Sequence, residues 1–358
     1  QVDLPSYMGT DGNVSSALAA PWGNIGKIEN KGLEINLVTH NIKAKSFDWT
    51  TETQISFNKN KLLDMQGTSA TSIEGYGQWT DVVTHTEVGQ SLYNFYGYVV
   101  EGIYQDKADI ENSPKSDHAP ADGKSYSRTN TVYVGDIKYK DVNNDGVINE
   151  KDRTNLGSPM PLFTLGFNNT FKYKNFDLNI FINGSYGNKV FNYSAINLTN
   201  MKSLWNNQLA VVTDRAKLTE IDNSITYPRV NSTGATIYNW YDDIDNVKVA
   251  NSKTTVPRAI ANDPNENTRI SSRYIEDGSY IRLKNIALGY NFDKKLLRPL
   301  HLESLRVYAN IQNLLTLTKY SGFDPEVGAS TASANVQGLD NGRYPSPQVY
   351  SFGLNLSF

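Results

Sequence analysis

The twelve residues 141–152, DVNNDGVINEKD, carry the side chains best suited to binding a metal ion. Oxygen-bearing side chains occupy the first, third, fifth, ninth and twelfth places, and glycine occupies the sixth, where a calcium-binding loop turns sharply. The predicted ligands are Asp141, Asn143, Asp145, the carbonyl of Val147, Asn149 and Asp152. Hard oxygen ligands at this spacing favour Ca²⁺, although aspartate at the twelfth place should bind it more weakly than the usual bidentate glutamate. The alternative is a cluster of turns in which these side chains only accept hydrogen bonds from nearby amides.

The segment WYDD is the predicted substrate contact. An aromatic ring can stack on the flat face of a sugar, and a neighbouring carboxylate can accept hydrogen bonds from hydroxyl groups. The residues concerned are Trp240, Tyr241, Asp242 and Asp243. The alternative is that such rings form small cores that hold long loops together. The same two interpretations apply to the other aromatic residues of the long connections, which are Tyr76, Trp79, Tyr93, Phe95, Tyr96, Tyr98, Trp205 and Tyr238.

Composition excludes several classes of site. The 358 residues include no cysteine, which excludes disulfides, thiol nucleophiles and thiolate metal sites. The four histidines share no metal-ligand spacing, and the sequence contains no G-x-S-x-G motif and no nucleotide-binding glycine motif. Lys and Arg number 34 against 37 Asp and Glu, so the net charge of −3 provides no electrostatic basis for nucleic-acid binding. We therefore expect neither catalysis nor a nucleic-acid partner.

Apolar and polar residues alternate along seven segments, as in strands with one dry and one wet face. In the last segment, Tyr350, Phe352, Leu354, Leu356 and Phe358 alternate with small or polar residues. The segments run for about 10–13 residues, longer than the roughly 5–6 of soluble strands and close to the roughly 9–11 that cross a membrane. Aromatic residues cluster near the segment ends, as in barrel girdles. The pattern predicts an all-β protein containing about seven or eight long strands of a transmembrane antiparallel β-barrel.

Connections between these segments are alternately very short and very long, the arrangement of outer-membrane barrels with short periplasmic turns and long extracellular loops. The C-terminus is then expected on the periplasmic side. In chain order the prediction is an extracellular loop 1–31, a barrel hairpin 32–59, an extracellular excursion 60–160 with the calcium-type loop, a hairpin 161–190, a long extracellular loop 191–276, a hairpin 277–315, an extracellular loop 316–345 and a terminal strand 346–358.

A different class of protein fits the same alternation. A soluble, extracellular β-rich module that binds or hydrolyses glycans, with a dockerin-like calcium loop, would bury the apolar strand faces against a second sheet. A membrane barrel would instead leave them on an outward band about 25 Å tall. The direction in which the apolar faces point therefore discriminates between the two readings.

Several stretches resemble the SusC/RagA-type TonB-dependent outer-membrane transporters. They are NIGKIENKGLEINL (24–37), FYGYVVEGIYQ (95–105), GDIKYKDVNNDGVINEKDRTNLGSPMPLFTLGFNNTFKYKNFDLNIFINGSYGNKVFN (135–192), DGSYIRLKNIALGYNF (277–292), LRVYANIQNLLTLTKYSGFDPEV (305–327) and YPSPQVYSFGLNLSF (344–358). The resemblance covers nearly the whole chain in the family's order. It is limited to the C-terminal third of the family's sequences, so that the plug and the earlier barrel strands have no counterpart here.

The resemblance implies a bacterial outer-membrane location and a share in a 22-strand barrel. It also implies partners: an N-terminal remainder with the plug, a SusD-like lipoprotein lid, TonB acting through that remainder, and the lipid bilayer. The implied activity is the import of oligosaccharides or peptides. Seven or eight strands leave two open sheet edges in hydrocarbon, where unsatisfied backbone groups cost several kcal/mol each. We therefore expect strands of another segment at both edges.

Overall fold

The computed structural model describes residues 2–3, 22–23, 26–65, 72–78, 81–202, 205–328 and 335–358. Seven long strands dominate this part of the chain. They are β1 (Lys27–Lys43), β2 (Phe47–Asp64), β3 (Phe163–Tyr173), β4 (Phe176–Tyr186), β5 (Tyr280–Asn291), β6 (Ser304–Thr318) and β7 (Val349–Ser357). The strands confirm the alternation in the sequence, and β1 and β2 extend beyond the predicted hairpin 32–59.

The seven strands form one antiparallel sheet in which each strand pairs with the next along the chain. Leu33 lies opposite Phe57, and Ile55 lies opposite Leu165. Opposite residues in such a ladder share a face of the sheet, so the apolar positions of neighbouring strands merge into one continuous surface. A bulge at Lys284 shifts the register of β5 against both of its neighbours.

Within the described residues, no second layer covers the apolar face of the sheet. Leu33, Phe352 and Leu354 are 58%, 84% and 64% exposed. The opposite face carries polar residues, which include Asp177, Asn179, Asn183, Arg306, Tyr308, Asn310 and Gln312. Exposed apolar residues of this extent are typical of a surface that contacts lipid or another protein.

The shorter and the longer connections lie at opposite ends of the sheet. Residues 44–46, 174–175 and 292–303 link strands at one end, and the last of these contains the helix Lys294–Leu297 and the 3₁₀ turn Arg298–Leu300. The long connections 65–162, 187–279 and 319–348 all lie at the other end, because successive strands are antiparallel. No helix in the described ranges is long and apolar enough to cross a membrane.

The long connections contain short elements of regular structure. Their helices are Lys107–Glu111 and Ser194–Leu198, with 3₁₀ turns at Glu150–Asp152, Ala210–Asp214, Trp240–Asp242 and Ser272–Tyr274. Their short strands are Ser72–Tyr76, Val82–Glu87, Phe95–Gly97, Val100–Ile103, Lys115–Ser116, Ile137–Tyr139, Val147–Ile148, Thr154–Gly157, Lys189–Asn192, Leu218–Glu220, Arg229–Val230, Thr236–Ile237, Val247–Val249, Ile275–Asp277 and Leu339–Asp340. A further pair, Val2–Asp3 and Trp22–Gly23, lies near the start of the chain.

The long connections pack together and share two hydrophobic cores. The first core joins 98–148 to 216–249, with Tyr133 and Ile244 almost completely buried. The second core draws on all three long connections, through residues such as Phe95, Phe191 and Val336. We call this assembly the loop body. The sequence predicted these connections only as separate loops, because contacts between distant segments leave no local pattern.

Candidate functional sites

The predicted calcium loop folds its acidic side chains around the turn at Gly146. The carboxylate of Asp141 accepts hydrogen bonds from the amides of Asp145 at 3.3 Å and Gly146 at 2.8 Å. The side-chain oxygen of Asn143 accepts the amide of Asp145 at 2.9 Å, and the carboxylate of Asp145 accepts that of Val147 at 2.9 Å. Gly146 has a φ of +84°, a conformation that glycine adopts without a steric penalty. Three of the predicted ligands therefore surround one turn.

The remaining predicted side-chain ligands close the loop. Asp152 is fully buried, and its two oxygens accept the amides of Val142 at 2.9 Å and Asn149 at 2.8 Å. The side chain of Asn149 accepts the amide of Lys151 at 2.9 Å and forms a capping box with Asp152. Ile148 points into the first core, as the motif predicts.

These hydrogen bonds match the local-turn alternative for the loop. Among the residues that the structure describes, no set of three or more His, Cys, Asp and Glu side chains is placed to hold a metal ion. A carboxylate can nevertheless accept about four interactions, so the oxygens of Asp141 and Asp145 keep lone pairs beyond those used by the amides. The oxygen atoms available as ligands are of the kind that Ca²⁺ prefers. Calcium binding stays a prediction.

The predicted substrate residues lie on and just after the 3₁₀ turn Trp240–Asp242. Trp240 packs against the first core and meets the ring of Tyr241 edge-on, with ring centres 5.6 Å apart. The guanidinium of Arg128 lies 5.0 Å from the ring centre of Tyr241, and its Nε donates to Asp242 at 2.9 Å. Tyr241 and Asp242 are both partly exposed. The structure thus adds Arg128 to this surface, which spacing alone did not indicate.

Asp243 has a different environment from its neighbours. It is fully buried, accepts the hydroxyl of Tyr227 at 2.9 Å, and forms an ion pair with Arg229. The hydrogen bond to Asp243 raises the pKa of Arg229 above its ordinary value, which favours the charged guanidinium. Direct contact between Asp243 and a solute is inconsistent with this conformation, because every approach is closed by protein.

The other aromatic residues of the long connections divide between the two interpretations. Phe95 and Tyr98 are buried in the cores, as expected for residues that hold loops together. Trp205 and Tyr238 are 95% and 71% exposed, and Tyr76 is also exposed, so these rings are available for contact. Tyr93 and Tyr96 are half-buried, and Trp79 lies outside the described residues.

A buried ion pair joins the two longest connections. Nε of Arg258 donates to one oxygen of Asp136 at 2.7 Å, and Nη2 donates to the other at 3.0 Å. Asn267 and the amide of Tyr133 supply two further hydrogen bonds to Asp136, at 3.0 and 2.8 Å. Asp136 is completely buried and Arg258 nearly so. The partners are 122 positions apart, so the sequence carries no signal for this contact.

A second ion pair lies flat on the polar face of the sheet, near the end with short connections. Nη2 of Arg306 lies 2.6 Å from the carboxylate of Asp177. Both side chains cross Gly289, where a Cβ atom would collide with the guanidinium and the carboxylate. The absence of a side chain at Gly289 thus leaves room for this ion pair to lie against the sheet.

The comparisons with known proteins agree with this architecture. No family model matches the chain. The TonB-dependent receptor P3 of Formosa agariphila is 32% identical over 367 residues, which cover 99% of this chain and 30% of the receptor. SusC of Bacteroides thetaiotaomicron, also a TonB-dependent receptor, is 24% identical over 344 residues, 94% of this chain and 27% of its own length. The predicted resemblance to SusC/RagA-type TonB-dependent receptors is confirmed.

Solved structures show the fold of this chain. The RagAB peptide transporter matches 95% of the chain with a TM-score of 0.65 and 19% sequence identity, and a "closed-closed" RagAB peptide importer matches with a TM-score of 0.64. The seven-stranded sheet is therefore part of an antiparallel transmembrane barrel wall. The chain spans about 30% of the length of these relatives.

Proposed function

We propose that this chain forms part of the barrel wall and the extracellular side of a TonB-dependent outer-membrane transporter. The observation that supports this proposal most directly is a sheet of seven long strands with one open apolar face and one polar face. Such a sheet suits a wall between lipid and a wet lumen. The transported solutes are oligosaccharides or peptides, and the chain itself performs no catalysis and binds no nucleic acid. The glycan-binding or glycan-hydrolysing module is disfavoured, because no second sheet covers the apolar face within the described chain.

The open sheet edges support an upstream partner segment. β1 and β7 each pair with a single neighbour in the described chain, on the sides of β2 and β6. Backbone groups left unpaired in hydrocarbon are costly. We infer that an N-terminal remainder supplies strands at both edges, the plug, and the contact with TonB.

The loop body suits the extracellular side, with the C-terminus at the periplasmic side. It is large and has cores of its own, whereas the connections at the other end of the sheet are short. We infer that it faces a SusD-like surface lipoprotein. The surface of Trp240, Tyr241 and Asp242 with Arg128 is the proposed solute contact, and the buried Asp243 holds that surface in place from behind.

Uptake and fractionation test this proposal. Cells that lack the gene are compared with complemented cells, each with and without active TonB, for accumulation of labelled oligosaccharides and labelled peptides. We expect the protein in the outer-membrane fraction, and accumulation of one solute class that requires both the gene and TonB. Equal accumulation of both classes without the gene, or recovery of the protein in the aqueous fraction without detergent, would overturn the proposal.

We also propose that the loop 141–152 binds Ca²⁺ and that the ion stabilises the neighbouring part of the loop body. Without a cation, the carboxylates of Asp141 and Asp145 repel each other across one turn. A chelator should therefore increase proteolysis within this loop, while the barrel strands stay protected. In Asp145→Asn the chelator should have a much smaller effect.

A suitable control for the calcium prediction is Asp122→Asn. Asp122 lies in the same long connection and accepts the amides of Lys124 and Ser125, but belongs to no calcium-type loop. This variant should respond to chelator as the unmodified protein does. Cleavage of the unmodified protein at the same rate with and without chelator would show that the loop is only a turn.

A further inference from the structure

A cavity of about 700 Å³ lies on the polar face of the sheet, at the end where the long connections leave it. We call it the rim cavity. Its floor is formed by Thr164 of β3, Ser185 of β4 and Tyr280 of β5, which lie opposite one another across the ladder. The connection 319–348 forms the far wall. The volume is in the range of about 300–1,000 Å³ that is typical of small-molecule sites.

The walls of the rim cavity are rich in proline. Five prolines line it, namely Pro159, Pro161, Pro325, Pro345 and Pro347. Each has a fixed φ, which restricts the backbone at that residue. A wall that is ordered before binding costs little conformational entropy when a ligand arrives.

An ion-pair network ties the far wall to the sheet. Arg282 of β5 is buried and pairs with Asp324, and its Nη1 lies 2.7 Å from Glu326. Burial alone would raise the pKa of Asp324, but hydrogen bonds from the amides of Ser346 and Glu326 and from Arg282 lower it below its ordinary value. Asp324 is therefore ionised and engaged in holding the wall.

The bulge in β5 adds a second cation to the network. Lys284 is the extra residue of β5 where its register shifts against β4, and its Nζ lies 3.2 Å from Glu326. Bulges commonly re-aim a side chain in this way. The two acidic residues of the cavity wall, Asp324 and Glu326, are thus neutralised by Arg282 and Lys284.

Arg343 also lines the cavity, and it forms no ion pair within the described ranges. Its Nη1 lies near Gly328, where a Cβ would be 3.4 Å away. The nearest acid along the chain, Asp340, uses its oxygens for the hydroxyl of Tyr320 and the amides of Gly342 and Arg343. Lys284 and Arg343 are therefore the lining cations, with Arg282 buried behind the wall, and of these three only Arg343 has no carboxylate partner within the described chain.

The residue after this cation is an exposed tyrosine. Tyr344 lines the cavity and is 84% exposed. A guanidinium next to an open aromatic face can pair with an anionic group while the ring packs on the adjoining part of the same solute.

We propose that the rim cavity binds a carboxylate group of the transported solute, with Arg343 as its ion-pairing residue. This inference rests on the proposed transport function and adds a solute class to it, solutes that carry carboxylates. The carboxylate can belong to an acidic peptide or to an acidic sugar, since both present the same group to the guanidinium.

Calorimetric titration of the purified transporter, assembled with its upstream segment, tests the proposal. The probes are a tetragalacturonate with maltotetraose as its neutral partner, and a tetrapeptide of Glu and Ala with an amidated Gln and Ala partner. We expect at least one acidic probe to bind more tightly than its neutral partner. Arg343→Gln should weaken that binding about tenfold, the effect of losing one charge-assisted hydrogen-bond partner, and should leave the neutral probes unchanged.

Two further variants make the result specific. Arg298→Gln removes an exposed arginine from the short-connection end of the chain and should leave all four titrations unchanged. Arg343→Lys keeps the charge and should lose less affinity than Arg343→Gln. All variants are first checked for barrel migration in unheated gels, so that misfolded protein is not titrated.

The outcomes separate this inference from the proposed function. Preference for one acidic probe identifies its source, peptide or sugar, and supports the inference. No preference for either acidic probe, or equal binding by Arg343→Gln and the unmodified protein, overturns it even if TonB-dependent uptake is found. Conversely, absence of uptake overturns the transport function. A preference for an acidic probe that is lost in Arg343→Gln would still show that the rim cavity binds a carboxylate.

Discussion

Expressed without an upstream segment, the chain is expected to give no stable barrel, and co-expression of that segment should restore one. The reason is that the first and last strands of the sheet each have an open edge, which must be paired before a barrel can close. β7 pairs with β6 from Ser304↔Ser357 to Gln312↔Val349, and its other edge has no partner in the described chain. β1 likewise pairs only with β2 among the residues that the structure describes. Each seam needs on the order of ten ladder hydrogen bonds, and every one left unmade in lipid costs several kcal/mol.

Migration in gels with and without heating measures this effect, because a closed barrel resists detergent until it is boiled. We expect a heat-modifiable species only when both segments are present, and we expect them to separate only on full denaturation. A structure of the chain alone in which β1 and β7 pair with each other in a small closed barrel would contradict the prediction.

The second large effect is expected from Arg258→Met in the loop body. This change leaves the carboxylate of Asp136 buried without its counter-charge. Breaking a buried pair by removing one partner costs about 3–5 kcal/mol, because the remaining charge is uncompensated. Since the pair joins residues from both of the longest connections, we expect the loop body to open while the sheet stays folded.

Hydrogen exchange resolved along the chain is the appropriate measurement. Protection should fall across the first core and remain normal in β3 and β4. Arg128→Met is a matched control, because the Arg128–Asp242 pair is partly exposed on both sides and should contribute no more than about 1 kcal/mol. The double variant Asp136→Leu with Arg258→Met should regain part of the lost protection, since it leaves no buried charge. Unchanged protection in Arg258→Met would show that the pair does not hold the loop body together.

Features set by neighbours along the chain could be predicted from the sequence. Alternation places Phe352 and Leu354 on one face of β7 whatever lies around that strand, because successive side chains of a strand point to opposite faces. Sequential pairing of the seven strands also follows, since each apolar stripe meets the next across a short turn or a long loop. The calcium-type loop 141–152 was also predicted from local spacing, because oxygen-bearing side chains recur at fixed positions within twelve residues.

Only the tertiary structure decided how the long connections pack and which of their polar residues reach solvent. Asp242 and Asp243 are adjacent and chemically identical, yet Asp242 is partly exposed beside Arg128 and Asp243 is fully buried against Arg229. The rim cavity likewise brings Lys284 and Arg343 together from a strand bulge and a separate loop. Such contacts depend on how segments far apart in the chain come together, and the free energy that selects them comes from shared burial, which no local spacing records.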